Sequence, residues 1–145
     1  MGEPGKLSLE IKRFIKASRD RVYASWTDQE QLRQWFGPAT VETENLIADV
    51  RPGGEFRWDL RNCDGKKVTI YGEYREVQPG KKIVFTWQHE DWEGHVSVVT
   101  VELSDCEGGT EVRLTHIQLP SEESRDSHHE GWNSVLEKLE TFVAT

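Results

Sequence analysis

The apolar and polar positions change period within the first part of the chain. Residues 7–11 alternate apolar and polar side chains, a pattern that predicts a β-strand. Ser18 can then cap a short helix that runs through Trp26, and residues 27–30, Thr-Asp-Gln-Glu, have the capping-box spacing for a second helix. Residues 37–38, Gly-Pro, are predicted to end that second helix. Its apolar side carries Leu32, Trp35 and Phe36.

Residues 41–117 show the two-residue alternation of antiparallel strands that bury one face. Tight-turn sequences separate the runs, and Pro79-Gly80 suits the central pair of a type II turn. We therefore predict six strands that follow the two helices as a meander. The alternating runs are Phe56/Trp58/Leu60, Val68/Ile70/Tyr74, Ile83/Phe85/Trp87, residues 96–103 and Val112/Leu114/His116.

The last part of the chain predicts one long helix. Ser121 can cap this helix, which runs to about Val143. Large apolar residues recur along it at helical spacing and form one stripe: Trp132, Leu136 and Leu139. Because the sheet is the large surface available to cover this stripe, we predict a single α+β domain over residues 1–145. The helix then packs across a curved antiparallel sheet.

The order of these elements resembles the helix-grip layout of the START-like (SRPBCC) superfamily. Residues 22–28, Val-Tyr-Ala-Ser-Trp-Thr-Asp, and residues 34–38, Gln-Trp-Phe-Gly-Pro, are similar to the pattern of one branch. That branch is the family resembling the C-terminal domain of the activator of the ninety-kilodalton heat-shock chaperone's ATPase. Shorter matches follow in the order of that family at residues 51–54, 72–74, 86–87, 114–116 and 131–132. The resemblance extends from about Leu7 to Phe142.

The resemblance implies a cavity between the curved sheet and the last helix. The wider superfamily includes lipid carriers, hormone receptors and polyketide cyclases, so the fold alone leaves the function open. Strand parity and the helix stripes predict which side chains face a ligand there. The predicted ligand-cavity residues are Trp35, Phe56, Trp58, Ile70, Tyr74, Phe85, Trp87, His116, Trp132 and Leu136. Such a site suits a flat hydrophobic molecule with one or two hydrogen-bonding groups.

Two of the inward positions each have two interpretations. His116 continues the apolar face of its strand, so it could bond a ligand or act as a general base. The favoured interpretation is a core histidine that bonds a tyrosine or a backbone carbonyl. Gly131 interrupts the last helix at a cost of roughly 1 kcal/mol relative to alanine. It lets either a ligand or the helix that carries Trp35 approach closely, and both interpretations stay open.

Charge and hydropathy exclude several classes of partner. The formal net charge of -8 argues against nucleic acid and against anionic membrane surfaces. No apolar run reaches the roughly 20 residues of a membrane span, and the first ten residues lack the apolar core of a signal peptide. We therefore expect a cytoplasmic protein without a membrane or nucleic-acid partner, as a monomer or a homodimer.

The cysteines and histidines predict neither a disulfide nor a metal site. Cys63 and Cys106 lie in turns at opposite ends of the predicted meander, farther apart than the roughly 7 Å that a disulfide tolerates. His128 and His129 are adjacent on a helix and point about 100° apart, so they cannot chelate one ion together. No cofactor is expected.

Three functions remain open, of which the first is favoured. The chain could hold a small apolar or aromatic ligand in its cavity. It could instead be an interaction protein that stimulates a heat-shock chaperone ATPase, as the resemblance implies. It could also be a cyclase-like or hydrolytic enzyme that uses His116. Because neither a nucleophile elbow nor a phosphate-binding glycine loop is present, the sequence predicts no catalytic residues.

Overall fold

The computed structural model describes residues 7–37 and 40–144, which form a seven-stranded antiparallel sheet and three helices. Pro38, predicted to help end the second helix, lies outside these ranges, as do residues 1–6. The elements are β1 Leu9–Ile15, α1 Arg19–Thr27, α2 Gln29–Trp35, β2 Glu42–Ala48, β3 Glu55–Arg61, β4 Lys67–Gln78, β5 Lys82–His89, β6 Ser97–Cys106, β7 Gly109–Ile117 and α3 Glu122–Val143. A short 3₁₀ turn, Glu90–Trp92, connects β5 to β6.

The sheet has the strand order β1-β7-β6-β5-β4-β3-β2. Strands β2 to β7 therefore form the predicted meander, and β1 closes the sheet by pairing with β7. The predicted first strand, residues 7–11, begins two residues too early and ends four residues too early, because β1 spans Leu9–Ile15. The α+β helix-grip architecture is confirmed: a curled sheet is covered by α1 and α2 and by the long C-terminal helix α3.

The long strand β4 contains an irregularity in its pairing. The pairing of β4 with β5 shifts register between Tyr74 and Glu76. Just before that shift, a Cβ on Gly72 would lie 2.0 Å from the carbonyl oxygen of Thr86. Glycine is therefore required for the close approach of the two strands. Such an irregularity bends the strand that carries it and increases its twist.

The helix caps agree with the sequence at two of three places. The side chain of Ser18 accepts a hydrogen bond from the backbone of Arg21, and that of Ser121 caps α3 in the same way. The predicted cap of α2 is wrong by one residue: Asp28, and not Thr27, accepts from the backbone N–H of Glu30. Thr27 still belongs to α1, and Asp28 ends α1 and begins α2, so no loop separates the two helices.

The two halves of α3 have different surroundings. Its backbone lies closest to β1, α1 and α2. Its apolar stripe is buried through Trp132, Val135, Leu136, Leu139 and Val143. The N-terminal half instead faces strands β3 to β5 across a cavity, which is where the sheet and the helix separate.

Candidate functional site: a cavity between the sheet and the last helix

A cavity of about 240 Å³ lies between the inner face of β3–β5 and the N-terminal half of α3. Its lining divides into three zones. The aromatic end consists of Phe36, Trp58, Trp87 and Trp132. The aliphatic flank consists of Leu60, Val68, Ile70 and Val135. The rim consists of Asn62, His89 and Ser127, and His128 and Gly131 complete the wall formed by α3.

Strand pairing places the sheet residues of this lining. Trp58 of β3 lies opposite Ile70 of β4, and Leu60 lies opposite Val68, so both pairs project to the inner face. His89 of β5 lies opposite Ile70 on the other side. Asn62 follows Leu60 by two residues, just beyond the end of β3. The lining therefore changes from aromatic to aliphatic to polar towards the turn between β3 and β4.

The aromatic end borders the protein core. Phe36 holds its ring centroid 5.0 Å from that of Trp58, and Trp87 holds its centroid 5.0 Å from that of Trp132. Both distances are typical of favourable aromatic pairs. Phe56 stacks behind Trp87 at 5.8 Å. Each ring of the aromatic end is therefore packed against at least one other aromatic ring.

Gly131 leaves space open on the wall formed by α3. A Cβ built at this position meets no described atom outside the helix backbone within 4 Å. The helix is therefore not packed against another backbone here, and the open space agrees with the interpretation that this glycine borders a cavity. Alanine or a larger residue would project into the cavity.

His116 is a fully buried core histidine with both ring nitrogens bonded. Trp132 Nε1 donates to its Nδ1 at 3.0 Å, so its proton is on Nε2, which donates to Ser97 Oγ at 2.8 Å. Ser97 in turn donates to the carbonyl oxygen of Trp87 at 2.6 Å. The bonding supports the interpretation of His116 as a satisfied core residue, because neither nitrogen is left to exchange a proton with a substrate.

His128 is the histidine that lines the cavity. Trp87 Nε1 donates to its Nε2 at 3.2 Å, and its Nδ1 donates to the carbonyl oxygen of Ser124 at 2.7 Å. Its ring centroid lies 5.1 Å from that of His116. Trp87 and Trp132 therefore each donate to a histidine, whereas Trp58 Nε1 donates to Thr43 Oγ1 at 2.9 Å. The N–H groups of all three lining tryptophans are thus bonded within the protein.

Both histidines are held in the neutral form. Burial lowers the pKa of His116 well below 6.5, and the neighbouring His128 lowers it further. Burial also lowers the pKa of His128; the bond to Ser124 opposes this change, and the charge of His89 adds to it. A second proton on either ring would have to replace the hydrogen bond from a tryptophan N–H, so geometry and desolvation act in the same direction.

Residues 16–144 match the family model described as Activator of Hsp90 ATPase homolog 1-like protein. The chain belongs to this family. The human Activator of 90 kDa heat shock protein ATPase homolog 1 is 28% identical over 126 residues, which cover 86% of this chain and 33% of the human protein. This family member thus spans about a third of the length of the curated relatives it matches.

Solved structures of bacterial proteins share the fold of this AHSA1-like chain. The AHSA1 protein from Silicibacter pomeroyi superposes with a TM-score of 0.85 at 27% identity, covering 94% of this chain and 97% of that one. A protein from Chromobacterium violaceum gives a TM-score of 0.87 at 24% identity, covering 95% and 97%. The predicted family resemblance and the predicted START-like fold are both confirmed.

In this AHSA1-like domain the predicted cavity residues occupy two places. All ten are buried, and four of them line the cavity: Trp58, Ile70, Trp87 and Trp132. The other six pack in the core beyond it: Trp35, Phe56, Tyr74, Phe85, His116 and Leu136. Sequence reasoning missed Phe36, Leu60, Val68 and Val135, although each continues a predicted apolar face.

Sequence reasoning also missed His128 as a lining residue. The signal was its spacing, because His128 precedes Gly131 by three residues and Trp132 by four, which places all three on one helix face.

Other predictions concern residues away from the cavity. Cys63 and Cys106 are both unpaired, as predicted, and both are exposed. Within residues 7–37 and 40–144, no group of three or more His, Cys, Asp or Glu side chains is arranged to hold a metal ion. None of the helices in the described part of the chain has the length and apolar character needed to span a membrane.

Proposed function

We propose that this domain binds a small apolar or aromatic molecule in the cavity between the sheet and α3. The observation that carries the proposal is the open space at Gly131, on the part of α3 that faces β3 to β5 across the cavity. Protein interiors normally contain few voids larger than a water molecule. A cavity of about 240 Å³ beside a helix-weakening glycine is the expected design of a binding site.

The chemistry of the lining supports an apolar occupant. Trp87 and Trp132 donate their N–H groups to protein acceptors, so an apolar ligand leaves no buried donor without a partner. A sugar or nucleotide would bury several polar groups against the aromatic end and the aliphatic flank. Burying each such group without a hydrogen bond costs about 1–3 kcal/mol.

A variant that fills the cavity tests the proposal. Gly131→Leu places a side chain in the open space, whereas Glu130→Leu adds the same side chain to the exposed side of α3. Binding of a panel of uncharged apolar and aromatic compounds is followed by intrinsic fluorescence, since three lining residues are tryptophans. Native mass spectrometry of the purified protein reports any retained ligand.

We expect panel compounds to bind the unmodified protein and Glu130→Leu, with at least about tenfold weaker binding to Gly131→Leu. Circular dichroism confirms that both variants fold. Equal binding to the two variants would place the ligand elsewhere and contradict the proposal. Binding only of phosphorylated or sugar compounds would contradict it as well.

A second candidate function is the stimulation of a heat-shock chaperone ATPase. It is supported by the family match and by the human relative, whose name describes it as an activator of the 90 kDa heat shock protein ATPase. The test is the ATPase rate of a purified chaperone of that class with and without this chain. Stimulation that persists in Gly131→Leu would assign the activity to the surface, independently of the cavity.

A further inference from the structure

The size of the cavity limits its occupant to about two fused rings. A cavity of roughly 150 Å³ in a protein core holds one benzene molecule. The cavity here, about 240 Å³, is larger by a factor close to the ratio of ten ring carbons to six. A third fused ring or a long alkyl chain exceeds this space unless it extends past the rim.

The aromatic end favours a flat occupant. Phe36, Trp58, Trp87 and Trp132 meet each other edge-on or tilted, with centroid distances between 5.0 and 6.4 Å. Rings in such arrangements expose faces and edges that a further aromatic ring can meet in an offset or T-shaped geometry. The aliphatic flank opposite supplies apolar contact without a polar atom.

The rim offers hydrogen-bond donors. Asn62 Oδ1 already accepts from the backbone N–H of Lys66 at 3.0 Å, which leaves its Nδ2 facing outward as a donor. His89 Nδ1 accepts from the backbone N–H of Asp91 at 3.0 Å, so its Nε2 carries a proton and is a donor. Ser127 adds a hydroxyl. Among the described residues, no hydrogen bond occupies Asn62 Nδ2, His89 Nε2 or Ser127 Oγ.

The charges around the rim favour an uncharged acceptor. Lys66 Nζ lies 3.5 Å from Asp91 Oδ2, and Arg125 Nε lies 3.2 Å from Asp126 Oδ1, so both of these cations face carboxylates. Glu90 adds a further negative charge next to His89. A carboxylate on the ligand would lie beside these negative charges, and the two cations named above already face carboxylates.

From these observations we infer that the ligand class is a flat two-ring aromatic molecule with one neutral hydrogen-bond acceptor, such as a ketone carbonyl. The rings occupy the aromatic end, and the acceptor lies at the rim against Asn62, His89 and Ser127. This inference rests on the proposed function, because it specifies what the same cavity takes.

A ring series measures the size limit. The probes are acetophenone, 2-acetylnaphthalene and 2-acetylanthracene, which share the ketone and differ in ring number. Titration by tryptophan fluorescence and calorimetry gives their dissociation constants. We expect 2-acetylnaphthalene to bind at least about tenfold more tightly than either neighbour, because one ring leaves apolar surface unburied and a third ring must extend past the rim, which displaces the ketone from its donors. Tightest binding of the one-ring or three-ring ketone would overturn the size argument.

An acceptor series measures the polarity at the rim. The two-ring probes are 2-acetylnaphthalene, 2-ethylnaphthalene and 2-naphthoate. Asn62→Asp keeps the oxygen that accepts from Lys66 and removes the Nδ2 donor, so the turn is preserved. We expect this variant to bind the ketone about 3- to 10-fold more weakly and the ethyl compound unchanged. A ketone affinity unaffected by both Asn62→Asp and Ser127→Ala, or tightest binding of the carboxylate, would overturn the orientation.

The outcomes separate this inference from the proposed function. If none of the naphthalene probes binds but other apolar compounds bind and are lost in Gly131→Leu, the ligand class is wrong and the binding function stands. If no apolar compound of any size binds, the proposed function fails and the inference fails with it. The expected result is that 2-acetylnaphthalene binds the unmodified protein and that this binding is lost in Gly131→Leu.

Discussion

Because two buried histidines are held neutral, we predict that the free energy of unfolding falls in mild acid. His116 and His128 are buried, and each accepts a hydrogen bond from a tryptophan N–H. Their pKa values are lowered in the folded state, whereas the unfolded chain titrates near 6.5. Below that pH the unfolded state binds more protons than the folded state, so the free energy of unfolding decreases as the pH falls.

The magnitude follows from proton linkage. Between pH 7.5 and 5.5, a histidine that stays neutral in the folded state lowers the free energy of unfolding by about 1.4 kcal/mol. His116 alone gives this amount, and His128 raises the total towards about 2.7 kcal/mol. Asp59, whose pKa is lowered chiefly by its bond to Thr69, contributes only under more acidic conditions, because its ordinary pKa is 3.8.

Urea denaturation followed by circular dichroism at the two pH values measures the effect. His116→Gln and His128→Gln should each remove up to about 1.4 kcal/mol of the pH-dependent difference. His129→Gln, an exposed position on the same helix, is the matched control. Trp132→Phe offers a variant that keeps His116 and deletes the donor to its Nδ1, which should reduce the difference in part.

Two results would contradict the conclusion that His116 and His128 are held neutral. If the unmodified protein loses no stability between pH 7.5 and 5.5, the two histidines are not held neutral. The second result is that His116→Gln and His128→Gln lose as much stability over this pH range as the unmodified protein does. Other groups would then cause the pH dependence, and the assigned hydrogen-bond directions would be wrong.

Three further predictions concern single positions. Gly131→Ala should raise the free energy of unfolding by about 0.5–1 kcal/mol in urea denaturation, because the added methyl group meets open space in a helix. A loss of stability would show that this space is filled. Gly72→Ala should lower the free energy of unfolding by about 1–3 kcal/mol, since its Cβ would lie 2.0 Å from the carbonyl oxygen of Thr86. An unchanged free energy of unfolding would contradict the close approach of β4 to β5. Cys63 and Cys106 should both react with a thiol reagent in the native protein without reductant, and fewer than two reactive thiols would disagree with their exposure.

Local sequence patterns were sufficient to predict the strands and helices of this fold. Two-residue alternation identified the strands, and helical spacing identified α3 with its cap at Ser121. The meander followed because short turns join neighbouring antiparallel strands. The cap of α2 was placed at Thr27 instead of Asp28, because the sequence does not reveal that α1 continues to the residue where α2 begins.

The candidate site was predicted only in part. Alternation and helical spacing showed that Trp58 and Phe56 share the inner face, and both are buried. They do not show how far each inner residue lies from the point where α3 leaves the sheet. For that reason Trp58 lines the cavity, whereas Phe56 packs in the core behind Trp87.

The sequence by itself determined the element order, the inner face and the family. Tertiary structure alone decided where the inner face stays uncovered and which polar groups remain free. Trp87 and His128 are 41 residues apart in the chain, and their hydrogen bond exists only because β5 and α3 pack across the cavity. Periodicity is a property of neighbouring residues, whereas a cavity and the protonation of its histidines depend on distances between elements that are remote in sequence.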